Sequence, residues 1–151
     1  MSSTSENFYQ YQRRRLGILC SWGMGSVILG SILSWVGHPF WKQFGLQALI
    51  WGAIDGALAI FGIRSARRKE LRLIQGELSV TDERKEVRSF YRILAINAGL
   101  DVLYVLSGMW VLARFSAQPE RQGLGLGILI QGLWLFCYDG FLCREVKRRW
   151  F

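Results

Sequence analysis

Residues 45–63 read GLQALIWGAIDGALAIFGI, nineteen consecutive positions with no lysine or arginine and a single carboxylate, Asp55, near the centre. A run of this length is close to the ~20 residues a helix needs to cross ~30 Å of hydrocarbon at 1.5 Å per residue. Backbone N–H and C=O groups in lipid must be satisfied internally, so the run is expected to be a helix. Working outward, residues 16–36, 93–113 and 124–142 form three more such runs of 21, 21 and 19 residues. They are too uniformly apolar for the alternating pattern of a membrane barrel. The sequence therefore predicts an all-α fold, a four-helix transmembrane bundle, with residues 1–151 as a single membrane domain.

The charges are distributed as topology demands. Of 19 Lys and Arg, three precede the first run, nine lie in residues 64–92 and four follow the last run, against three in the two remaining loops. The positive-inside rule then puts both termini and the 64–92 connection in the cytoplasm. The net charge of +8 is thereby read as contact with anionic headgroups, and nucleic acid is not an expected partner. Arg13, Arg14, Arg15, Arg64, Arg67, Arg68 and Lys69 are the expected headgroup contacts. Phe8, Tyr9, Tyr11, Phe90, Tyr91, Trp150 and Phe151 would form an inner aromatic belt. Trp35, Phe40, Trp41, Phe44, Trp110 and Phe115 would form the outer one. No small-x-small cleavage pattern follows the first run, which reads as an uncleaved anchor.

The connection 64–92 places Leu71, Ile74 and Leu78 at helical spacing among basic residues. It is expected to extend the second helix or to lie along the headgroups, with a stop at Gly76 and a new start at Thr81-Asp82-Glu83. The outer loops, 37–44 and 114–123, are too short to hold a domain.

Against this background three residues are out of place: Asp55, Asp101 and Asp139, one in each of the last three runs. A carboxylate at mid-bilayer costs roughly 2.5–3.5 kcal/mol on insertion scales. Counting from the helix midpoints puts Asp55 at the midplane, Asp101 about 3 Å inward, and Asn97 and Asp139 about 9 Å inward. Asn97, Asp101, Tyr104 and Gly108 share one face of the third helix, and Ala48, Trp51, Asp55, Ala59 and Gly62 one face of the second. Gly127, Gln131 and Tyr138 share a stripe on the fourth, with Asp139 at its edge. The stripes are expected to converge on an interior site made by Asp55, Asp101, Asn97, Tyr104, Gln131 and Asp139. With no buried base beside them, the carboxyls favour the neutral acid, a shared proton, or a hard cation held by oxygen ligands. Arg15, Arg64, Arg92 and Arg144 are placed to reach inward toward Asp139. The competing role is structural, with Asp, Asn and Gln tying helices together.

Other patterns carry less. Cys20, Cys137 and Cys143 map to the inner half and lack metal-site spacing. Gly52-xxx-Gly56, Ser21-xxx-Gly25 and Ser26-xxx-Gly30 are helix-packing spacings. GLGLG at 123–127 lacks the preceding strand of a nucleotide loop, and His38 lies in an outer loop. No nucleophile, zinc or haem arrangement is visible, and no catalytic residue or cofactor is assigned.

The elements Trp51–Asp55 (WGAID), Asn97–Tyr104 (NAGLDVLY) and Gly125–Asp139 (GLGILIQGLWLFCYD) resemble a family of small four-helix bacterial integral membrane proteins of unknown function. That family's last element often ends with a histidine near the final aspartate, where this chain has Phe141-Leu142-Cys143. The resemblance implies a multi-pass protein of the bacterial cytoplasmic membrane, or a thylakoid-type one, and supplies no activity. Three functions are weighed. One is a site for a proton, cation or small polar solute, as in a small transporter, for which four helices would need a homodimer. The alternative is a structural or assembly subunit of a larger membrane complex. The third is a membrane enzyme acting on a lipid with two carboxyls as acid and base, for which no nucleophile or metal-ligand set is visible.

Overall fold

The structure, a computed structural model, describes residues 7–151. The chain forms four helices, α1 (Phe8–Ser34), α2 (Pro39–Ile74), α3 (Val80–Arg114) and α4 (Pro119–Trp150). All four are long and apolar enough to cross a membrane. Local chemistry sets their starts. The Asn7 side chain accepts the Gln10 N–H at 2.9 Å, Pro39 and Pro119 open α2 and α4, and Ser79 and Asp82 form a capping box for α3. Proline at the first helical position has its φ already set, so the outer connections shrink to 35–38 and 115–118, shorter than the sequence suggested. Gly76, at φ +75°, ends α2 in a conformation that costs a glycine nothing. The 64–92 connection is thus helical, split between the continuations of α2 and α3.

The helix backbones pack closely in three pairs, α1 with α2, α3 with α4, and α2 with α4. Glycine makes these approaches possible. A Cβ on Gly23 would stand 2.7 Å from the Gly52 carbonyl oxygen, one on Gly30 2.5 Å from that of Gly45, and one on Gly108 2.7 Å from the Leu129 nitrogen. The 123–127 run is a packing device as well. Gly123 and Gly127 lie against Phe40 and Gln47 of α2, while Gly125 lies against Leu112 of α3. Of the expected small-residue spacings on α1, the Ser26/Gly30 one is used. Gly25 faces open space, and Gly23 takes the place given to it.

Large side chains follow two opposite rules along the helices. Within the apolar runs Met24, Ile28, Leu58 and Leu103 are exposed. Where α1 begins and α4 ends, Phe8, Tyr9, Tyr11 and Val146 lie beyond those runs and are fully buried in a core with Val87 and, from the ends of the runs, Leu94 and Leu142. Phe8 meets Phe90 and Trp150 edge-on. This corrects the expected inner belt: the α1 aromatics fill a core with side chains of α3 and α4, where apolar burial drives packing. At the other end Trp35, Trp41 and Trp110 are exposed, as a belt requires.

Candidate functional site

The core where α1 begins and α4 ends is closed by ion pairs. Glu145 on α4 accepts hydrogen bonds from the Tyr11 hydroxyl at 2.8 Å and from Arg15 at 2.7 Å, and pairs with Arg149 at 2.8 Å. Glu70 pairs with Arg13 at 2.6 Å, and Lys69 with Glu86 at 2.7 Å. Burial pushes both glutamates up, but the hydrogen bonds and positive charges around them outweigh it and hold both below the usual range. Arg13, Arg15 and Lys69, expected at headgroups, each pair with a glutamate of another helix, and Arg14, Arg64, Arg67 and Arg68 are exposed. Arg15 does not reach toward Asp139. It is fixed to Glu145, and its carbonyl accepts the Tyr138 hydroxyl at 2.8 Å.

Above this core the three aspartates are buried, with Gln131 among them. Asp55, Asn97, Asp101, Tyr104, Gln131 and Asp139 all line one cavity of about 260 Å³ between α2, α3 and α4, with α1 touching it at Leu19. The rest of its wall is apolar, including Leu19, Ile54, Leu58 and Leu100, with Trp51 and Tyr104 edge to face at 5.0 Å. Each carboxyl lies within electrostatic reach of another.

Their partners differ. Gln131 Nε2 donates to Asp55, and Gln131 Oε1 accepts from the Trp22 indole N–H at 3.3 Å. An indole nitrogen only donates, so it fixes which end of the amide faces Asp55. Trp22 is held in turn by stacking on Trp134 at 4.3 Å, which stacks on Tyr138 at 5.1 Å. Asp139 receives the Asn97 side chain. Asp101, only 5% exposed, has an Oδ2 that meets no hydrogen-bond partner.

This arrangement limits what can bind. With its oxygen turned to Trp22, Gln131 presents a donor to the cavity, unsuited to a bare cation. Among the described residues no three His, Cys, Asp or Glu converge to hold a metal. What the cavity offers is acceptor oxygen, most freely at Asp101. Sequence reasoning passed over Trp22, although a tryptophan deep in an apolar run needs an acceptor for its N–H, and that need was the available signal. It also passed over Glu70 and Glu145, which sit outside the apolar runs and look like ordinary surface glutamates.

A family of unknown function, DUF6992, matches residues 18–140, and the chain belongs to it. The match takes in every residue of the cavity. No curated protein and no solved structure matches the chain.

Proposed function

We propose that this is an integral membrane protein of the bacterial cytoplasmic membrane, both termini inside, whose buried carboxyl site takes up a proton and a small polar solute. Membrane placement is supported by the two packing rules along each helix. Small residues inside and large ones outside are the arrangement expected where lipid removes the hydrophobic drive between helices. The inward placement of the termini rests on the sixteen basic residues at one end against three at the other.

Asp101 carries the site reading. A partnerless buried carboxyl oxygen costs about 1–3 kcal/mol in unmade hydrogen bonding, a cost that a bound proton donor removes. The cavity of about 260 Å³ is below the ~300–1,000 Å³ of drug-sized sites, so the solute is small, or only its head fits. Dicyclohexylcarbodiimide, which modifies protonated carboxyls in apolar surroundings, tests this. Asp101 is expected to label, and labelling is expected to fall as pH rises and when a small amine or polyol is present. Labelling unmoved by pH or any solute removes the proposal.

A second reading has its own support. The Gln131–Asp55 bond ties α4 to α2, and the Asn97–Asp139 contact ties α3 to α4. Two of the three aspartates thus have a structural role of the kind a non-catalytic subunit would use. Asp101 is the one that this role leaves without a task.

A further inference from the structure

The cavity does not stop at the bundle interior. The backbones of α2 and α3, unlike the three close pairs, do not pack against each other. Side chains bridge them at two levels, Trp51 against Tyr104 at one end and Lys69 with Glu86 at the other. Between those bridges the cavity wall includes Ile54, Leu58 and Leu100, which are 42%, 61% and 50% exposed on the outer surface of the bundle. The opposite flank, between α1 and α4, is filled by the stacked rings of Trp22, Trp134 and Tyr138. A space that has carboxyls at its inner wall and exposed leucines at its mouth is continuous with the lipid-facing surface.

We infer that the window between α2 and α3 admits an amphiphile dissolved in the bilayer, whose hydrogen-bond-donating head, an amine or hydroxyl, docks at Asp101 while its hydrocarbon tail lies across Leu58 and Leu100 in the acyl chains. Three observations select this occupant. Among the described residues, the one buried polar atom of the cavity without a partner is the acceptor Asp101 Oδ2, so the head that docks on it must donate. The cavity holds a head group but no long chain. The mouth is formed by Ile54, Leu58 and Leu100 with the exposed amide of Asn97 beside them, and it lies within the apolar runs rather than at either end, so a strongly hydrated solute would have to cross hydrocarbon to reach it. Access from the bilayer needs no opening of the inner ionic core or of the α1–α4 aromatic stack. The inference rests on the solute-binding reading above and specifies the class of solute and its route.

The test uses the full chain in phosphatidylcholine nanodiscs, with carbodiimide labelling of Asp101 as readout. Dodecylamine and methylamine compete at matched membrane-phase concentrations. Protection is expressed relative to each variant's own labelling without amine. Dodecylamine is expected to protect at least tenfold better than methylamine. Leu58→Trp and Leu100→Trp, which fill the mouth from exposed positions, are expected to reduce dodecylamine protection at least fivefold and leave methylamine protection unchanged. Equal protection by the two amines, insensitive to either tryptophan, overturns the lateral route while sparing the site. Protection by neither amine overturns the site itself.

Discussion

Asp55 and Asp101 are the same residue type in one cavity, yet their different partners predict opposite responses to the same substitution. Asp101→Leu removes an oxygen with no partner beside a space that can accept the extra volume, and is expected to stabilise the protein by about 1 kcal/mol. Asp55→Leu strands the Gln131 amide donor and is expected to destabilise by about 1–3 kcal/mol. Unfolding in mixed detergent micelles measures both, and equal destabilisation would mean that Asp101 has a structural partner after all. The relay from Trp22 through Gln131 has its own signature. In a double-mutant cycle, Trp22→Phe is expected to cost about 0.6 kcal/mol less in a Gln131→Leu background than in the parent, the average size of an interhelical hydrogen bond. Identical costs in both backgrounds would mean that the indole N–H does not hold the amide.

At the scale of the helix, glycine decides which faces meet. Gly30 and Gly25 lie on the same helix, but a methyl group on Gly30 would collide with the backbone of α2 whereas one on Gly25 meets nothing. Gly30→Ala is expected to cost about 1–3 kcal/mol through forced separation of α1 and α2. Gly25→Ala, which gains helix propensity, is expected to be neutral or slightly stabilising. Thermal unfolding of the two variants side by side is the check, and similar losses would mean that the α1–α2 contact is not set by Gly30. The same contrast explains how much of the molecule could be read from its sequence. The four helices were legible because uninterrupted apolar runs have one solution in lipid. The convergence of Asp55, Asp101, Asn97, Tyr104, Gln131 and Asp139 followed from helical spacing and depth counted along each run. Facing among the glycines was not legible, since Gly23 and Gly25 are equally small and only the partner helix distinguishes them. Nor was the burial of Phe8 and Tyr11, because an aromatic just outside an apolar run is the same letter whether it anchors at an interface or fills a core.

Over the whole molecule, the two ends of the bundle are held by different forces and should fail under different conditions. Within the apolar runs, close glycine contacts and a few interhelical polar bonds hold the helices. The core where α1 begins and α4 ends depends on buried aromatics closed by Glu145 with Tyr11, Arg15 and Arg149 and by Glu70 with Arg13. Both glutamates titrate below the ordinary value of 4.5 in the folded state, burial being outweighed by their hydrogen bonds and positive neighbours. A carboxyl with a lowered folded pKa contributes its full stabilisation above the unfolded pKa and loses it as pH falls through the folded one. Stability is therefore expected to hold from neutrality down to about pH 5 and to fall below pH 4.5. Glu145→Gln removes the charge at every pH and strands Arg15, so it is expected to cost about 3 kcal/mol near neutrality. Since the variant has one fewer group to protonate, its acid-side loss should be shallower than the parent's. Hydrogen exchange would locate the acid-sensitive part, with amides of residues 8–15 and 143–150 losing protection before those of 45–63. Should the midspan amides open first, or the parent and Glu145→Gln lose stability in parallel as pH falls, then the inner ion pairs are not what closes the bundle on that side.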